Sequence, residues 1–367
     1  MSEDELIALL RLQCIPHIGD ISAKKLIAHC GSASAIFREK ASVLSKIRGI
    51  GTFMIRELHH KSYLILALRE LDYIKKHKID YCYFLDSNYP NNLKNCIDGP
   101  ILLFNKGNID LKAGRLISVV GTRNSTSYGT DFCELFMEEI KPFNPIIVSG
   151  FAYGIDIIAQ KAAIANGLQT IGCLAHGLNQ FYPRVHQQYV NSILENGGFF
   201  TEFWSSSSPE RVNFLKRNRV IAGLSEATIV VETANKGGSL VTADIADSYN
   251  RDIFAVPGRI SDKYSLGCNN LLKSQKAHMI TSASDLAFSL GWGPSDSKMH
   301  GIQKRLFVEL NEEEKAIHDY LNTCGRQLAD QIAIECEITV HNALSVLFSL
   351  ELKGLIRPLP GKYYEII

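Results

Sequence analysis

The sequence has 367 residues, 46% hydrophobic and 21% charged, enough for two or three domains with real cores. This composition excludes a largely disordered chain, and no apolar run approaches the roughly eighteen residues of a membrane span. With 39 Lys and Arg against 38 Asp and Glu the net charge is +1, so no polyanion-binding field covers the whole molecule; the charge is +4 over 1–80, 0 over 81–300 and −3 over 301–367.

The acidic start, MSEDELIALLRLQ, lacks the basic opening and long apolar core of a secretory signal, so a cytoplasmic protein is expected. The nine cysteines are scattered and never spaced as CxxC. Buried thiols are therefore expected, with neither a disulfide framework nor a metal site.

Residues 1–80 read as a helical domain. Leu6, Leu9 and Leu10, and later Tyr63, Leu64, Leu68 and Leu71, recur at helical spacing. Two glycine-marked turns each read as helix, tight hairpin, helix, and resemble helix-hairpin-helix motifs. Gly49-Ile50-Gly51 fits well, and His17-Ile18-Gly19-Asp20 more loosely. Such a hairpin exposes backbone N–H groups that can hold a phosphate, with Lys24, Lys25 or Arg56 nearby. A plain helical packing module reads the same way.

Residues 81–290 alternate short β-rich runs with amphipathic stretches. The runs are Tyr81–Leu85, Ile101–Phe104, Leu116–Val120, Ile146–Val148, Thr170–Leu174, Phe199–Glu202, Thr228–Val231, Ile253–Val256 and His278–Thr281; helices are expected over 127–141, 154–166, 183–196 and 239–250. Alternation of this kind predicts parallel strands with crossover helices, and runs such as LISVV and TIVV predict strands buried on both faces. The expected fold class is α/β, a Rossmann-like doubly wound parallel sheet. Residues 291–304 read as a linker. Residues 305–367 predict helices over Glu312–Asn322, Arg326–Ile334 and Val340–Leu352, then a β-hairpin, the winged-helix pattern. Asn311 before three glutamates reads as a helix cap.

Ligands of such sheets sit beyond the carboxyl ends of the strands. The residues there are small, hydroxylated or basic: Gly121-Thr122-Arg123, Ser149-Gly150, and Lys236-Gly237-Gly238-Ser239, with Arg259 after the eighth run. Free N–H groups at helix starts suit phosphate. Neither a GxxxxGK[ST] nor a GxGxxG loop is present. Tight turns without a ligand remain the alternative. The basic run Lys216-Arg217-Asn218-Arg219 opens a helix expected to pack, so part of it is read as facing the phosphate loops rather than solvent. Rings lie beside these loops, and Phe151, Tyr153 and Phe214 are the candidates for base stacking on a single strand. Asp156, His176, His186, Glu202, Glu232 and Asp244 can be paired on paper for acid–base work, but no nucleophile stands out.

Together VVGTRNSTSYG (119–129), SGFAYGIDIIAQKAA (149–163), GLNQFYPRVH (177–186), NFLKRNRVIAGLS (213–225), KGGSLVTADIA (236–246) and AVPGRISDKYSLGCNNLLK (255–273) resemble the DNA-processing protein A family, DprA or Smf. The resemblance implies a bacterial single-strand DNA-binding protein of natural transformation. Such a protein protects incoming strands, loads the RecA recombinase and dimerises through its Rossmann-like domain, without cofactor, metal or catalytic residue. It implies that Arg123 contacts phosphate, that Ser149, Gly150, Gly237, Gly238 and Ser239 line the same pocket, and that Lys216, Arg217, Asn218 and Arg219 hold the strand. Phe151, Gln160 and Lys236-Gly237-Gly238 depart from the family pattern. The acidic winged helix suits protein contact better than duplex reading. A nucleoside-monophosphate phosphoribohydrolase, or a nucleotide sensor without catalysis, is the alternative on this fold.

Overall fold

Each of the nine runs becomes a strand of one sheet: β1 (Asp80–Tyr83), β2 (Leu102–Gly107), β3 (Leu116–Val120), β4 (Ile146–Ser149), β5 (Thr170–Cys173), β6 (Gly197–Thr201), β7 (Ala227–Val230), β8 (Asp252–Ala255) and β9 (His278–Met279). Their order is β1-β2-β6-β5-β4-β3-β7-β8-β9. From β6 across to β9 every pairing is parallel. The sheet is nonetheless mixed, a correction to the wholly parallel expectation: β1 pairs antiparallel with β2, and β2 with β6. Between β1 and β2 the chain holds only the one-turn helix Asn91–Lys94, so it doubles back where a parallel neighbour would need a crossover.

The computed structural model describes residues 1–112, 114–293, 310–336, 338–353, 355–359 and 363–366. They fall in two compact units, Met1–Ser295 and Asp296–Ile367. The expected linker lies, from 294 onward, outside the described residues.

Strands β3, β4, β5 and β7 are buried along their whole length, because helices cover both faces. Phe136 and Met137 of helix Ser127–Ile140, and Ile155 and Ala159 of helix Ile155–Ala165, pack with Ile117, Val119 and Ile147. Val220 and Ile221 of helix Arg211–Leu224, and Ala243 and Ala246 of helix Gly238–Ser248, pack with Leu116, Val120 and Val148 on the opposite face. Alternate residues of one strand thus enter different cores, and each large side chain so buried contributes roughly 1.5–3 kcal/mol. Strands β4 to β6 run out to one side of β3, and β7 to β9 to the other. That reversal opens a crevice at the carboxyl ends of β3 and β7.

The first helix, Glu3–Cys14, buries Leu6, Leu9 and Leu10. Helix Lys61–His77 buries Ala67, Glu70, Leu71 and Ile74, leaving the expected core residue Leu68 exposed. The buried stripe passes through a small alanine and a hydrogen-bonded glutamate that a hydropathy pattern does not pick out. Glu70 accepts from Ser205 N at 2.8 Å and Ser205 Oγ at 2.6 Å, tying this helix to the segment after β6. The first glycine hairpin serves packing. Asp20 Oδ1 accepts from Ile101 N at 2.9 Å, and Lys24 Nζ donates to Cys96 O at 3.1 Å and Ile97 O at 3.3 Å. The second turns at Gly49, with φ +91°, before the short helix Thr52–Leu58.

The C-terminal unit is a winged helix. Helices Glu312–Cys324, Ala329–Glu335 and Val340–Leu352 enclose Ile317, Leu321, Ile332, Leu347 and Leu350. Strands β10 (Gln327–Leu328), β11 (Ile356–Leu359) and β12 (Tyr363–Ile366) form a small sheet. The middle helix starts three residues later than expected, because Gln327 and Leu328 pair with Tyr364 and Tyr363. All nine cysteines are free; against the expectation of buried thiols, Cys324 is exposed and Cys14, Cys30 and Cys336 are only partly buried.

Candidate functional site

The crevice between β3 and β7 holds a cleft of about 740 Å3. Gly121, Thr122, Arg123, Phe214, Arg217, Asn218, Lys236, Gly237, Gly238 and Ser239, drawn from loops and helices far apart in sequence, all line it.

The loop after β3 is held by backbone bonds. Thr122 N donates to Glu232 O at 2.6 Å, and Thr122 O accepts from Ile155 N at 3.1 Å. A Cβ on Gly121 would lie 2.5 Å from Ile155 Cγ1, so glycine is what lets this loop pass the helix behind it. The loop projects Arg123 into solvent at the mouth. Its guanidinium stands 5.2 Å from the Phe214 ring centroid, and Arg217 stands 5.8 Å from the same ring. An exposed cation–π contact is worth about 0.5–1 kcal/mol, a hold weak enough for Arg123 to take a phosphate instead.

The opposite wall is the start of helix Gly238–Ser248. Its N-cap, Gly237, makes no side-chain cap, and the first-turn N–H groups and the positive end of the helix dipole suit an anion. Asn218 Nδ2 donates to Gly238 O at 3.3 Å and fixes the turn. Ser239 is buried and its Oγ has no hydrogen-bond partner; Arg217 is 4% exposed and its Nε has none either. An unsatisfied buried polar group costs about 1–3 kcal/mol, and both of these residues line the cleft.

Arg217 is placed by the sheet. One of its terminal nitrogens, Nη1, donates to Gly150 O at 2.6 Å and also to Cys173 O. Asp156, buried beside it, accepts from Gly150 N at 3.1 Å. Burial pushes the Asp156 carboxyl up and the Arg217 guanidinium down, and each charge draws the other back.

Other expected site residues are placed elsewhere. Ser149 is fully buried and donates to Val119 O at 2.7 Å, stitching β4 to β3 rather than lining the cleft. Gly150 is buried and supports Arg217 from behind. Arg219 is buried against Asp20 and Glu202, so it holds the fold and not a ligand. Lys216 is half-exposed, 2.9 Å from Glu202 Oε2, and off the cleft. Phe151 is fully buried among Phe181, His186 and Phe199, with φ +56°, so it has no free face for a base. Tyr153 is exposed but does not line the cleft.

The paper acid–base groups are scattered, and each is engaged. Glu232 accepts from Thr126 N at 2.9 Å and Thr126 Oγ1 at 2.6 Å. His176 Nε2 accepts from Tyr182 N at 3.2 Å, which puts its proton on Nδ1, 2.9 Å from Gly177 O; burial lowers its pKa. Asp244 pairs with Lys276 at 3.1 Å on the surface. His186 Nδ1 lies 3.1 Å from Phe151 O. Sequence reasoning missed Arg211, Lys263 and Tyr264, which also line the cleft. Lys263 and Tyr264 lie in the 255–273 segment that carries the family resemblance, which was their signal in the sequence.

The sequence matches the family DNA recombination-mediator protein A over residues 80–291 and the DprA winged helix domain over residues 308–362. It is 34% identical to Protein Smf of Escherichia coli over 287 residues, 76% of this chain and 75% of that protein. It is 38% identical to DNA processing protein DprA of Streptococcus pneumoniae over 202 residues, 55% of this chain and 71% of that one. The fold superposes on the X-ray structure of the Streptococcus pneumoniae protein with a TM-score of 0.65 and 28% identity, covering 78% of this chain and 98% of that chain. It also superposes on DNA processing protein A of Helicobacter pylori, solved for its single-stranded DNA binding mode. There the TM-score is 0.52 at 28% identity, over 58% of this chain and 95% of that chain.

Proposed function

Because the chain belongs to the DNA recombination-mediator protein A family, we propose that it binds single-stranded DNA, with a backbone phosphate seated in the β3–β7 cleft. One observation carries this reading. Two buried donors without partners, Arg217 Nε and Ser239 Oγ, belong to residues lining one cleft beside an uncapped helix start. Arg123 and Lys236 add exposed charge there, and the Phe214 ring offers a stacking face. Bases are available to a ring only in a single strand.

On the same reading the protein works in the cytoplasm as a homodimer joined through its Rossmann-like domain. It protects incoming strands and passes them to the RecA recombinase without chemistry of its own. Nucleoside-monophosphate hydrolysis would need a free carboxylate over the sugar, and Glu232 is held by Thr126. The test is fluorescence anisotropy of a labelled poly-dT oligonucleotide at several salt concentrations, challenged with unlabelled duplex. Salt-sensitive binding that duplex fails to compete is expected. No binding at low salt would overturn the reading.

A further inference from the structure

A second cleft, of about 950 Å3, adjoins the first, and Lys263 and Tyr264 line both. It lies between the start of helix Ser127–Ile140 and the loop 257–264 after β8. Its walls carry two rings, Tyr128 and Tyr264, and two exposed cations, Arg259 and Lys263. The Tyr128 hydroxyl donates to Pro257 O at 2.6 Å, which fixes the ring against the loop while leaving it 48% exposed. Lys263 Nζ stands 5.3 Å from the Tyr264 ring centroid.

Two carboxylates also line this cleft. Glu232 is buried, and both its oxygens are engaged by Thr126 N and Oγ1. Asp262 is exposed, with Ser261 Oγ 3.4 Å away. The outward face thus carries two rings and two cations against one exposed carboxylate, a composition that suits a single strand, and it shares Lys263 and Tyr264 with the first cleft.

Resting on the strand-binding reading above, we propose that this second cleft is a further nucleotide subsite of the same strand. The strand leaves the β3–β7 cleft over Lys263 and Tyr264, sets a base on Tyr128 and places the following phosphate on Arg259.

The full chain carrying Arg259→Ala and Lys263→Ala is titrated into labelled dT20 at several salt concentrations, beside a separate Arg123→Ala variant. The three positions are exposed, so truncation is expected to leave the fold intact, which circular dichroism checks. The double variant is expected to weaken binding about fivefold or more and to reduce the salt slope by about 1.4, two phosphates at roughly 0.7 each. Arg259→Lys with Lys263→Arg restores the slope. Tyr128→Ala weakens binding with the slope unchanged. If Arg123→Ala weakens binding and the double variant does not, the second subsite is overturned and the phosphate cleft stands. If neither has an effect, the phosphate reading itself falls, and this proposal with it.

Discussion

Arg219 donates to Asp20 Oδ2 at 2.9 Å across 199 residues of chain, and the same guanidinium reaches Glu202. Burial opposes its charge, but Glu202 and Asp20 more than offset that and hold its pKa up. The last cation of the basic run thus fastens the N-terminal helices to the sheet within one compact unit, while Arg217, two residues earlier, lines the cleft.

Truncating Arg219 removes the buried cation shared by Asp20 and Glu202 and leaves Glu202 only the half-exposed Lys216. Arg219→Ala is expected to destabilise the protein by about 3–5 kcal/mol. Lys216→Ala, which breaks a half-exposed pair, should cost less than about 1 kcal/mol. Denaturant unfolding of the two variants side by side distinguishes them; equal losses would make Lys216 structural too.

Arg123→Ala combined with Lys236→Ala is expected to weaken single-strand binding about tenfold or more at moderate salt, since two exposed cations lining the cleft are removed. Anisotropy reads the effect. Unchanged affinity would leave the cleft without its proposed ligand.

Two glycines of the site should respond oppositely to alanine. A Cβ at Gly150 would lie 2.5 Å from both Arg217 Nη1 and Asp156 Oδ2, whereas one at Gly238 meets nothing within 4 Å. Gly150→Ala is expected to cost about 1–3 kcal/mol by overpacking and to push Arg217 out of place. Gly238→Ala should leave stability within about 0.5 kcal/mol. Thermal melts check both.

Acid should loosen the winged helix first at Glu314. Lys353 and Ser349 donate to its carboxylate, which caps Asn311 N as well, and its pKa is lowered to about 2. A depressed carboxylate stabilises the fold fully above its ordinary value near 4.5 and loses that contribution as pH falls towards 2. Hydrogen exchange in helix Val340–Leu352 should rise over that window, and Glu314→Gln should flatten the dependence.

Removing 305–367 is expected to leave strand affinity nearly unchanged. The third helix of the winged domain, Val340–Leu352, contains no Lys or Arg and exposes Val340, Leu344, Phe348 and Leu352. A reading helix for duplex DNA presents polar and basic side chains to the groove. A collapse of affinity on deletion would place this unit in the DNA site.

The nine strands, the helices between them and the winged-helix order were legible in the sequence, because each rests on local periodicity and on apolar runs that can be buried only one way. The glycine- and hydroxyl-rich strand ends were legible too, since close backbone approach and helix-start N–H groups demand those residue types. What the linear pattern could not carry was the side on which each polar residue falls. Lys216, Arg217 and Arg219 read alike as cations, yet the 100° turn between successive helical residues sends one to the surface, one to the cleft and one into a buried pair with Asp20. Phe151 read as a stacking ring and is core, because its neighbours Phe181 and Phe199 arrive from other elements of the sheet. Lys263 and Tyr264 reach the cleft only because the loop after β8 folds back beside the end of β7, where Tyr264 O accepts from Thr233 N. Local chemistry is written along the chain, but burial and partnership are properties of neighbours brought together by the sheet, and these separate the residues that meet a ligand from those that hold the fold.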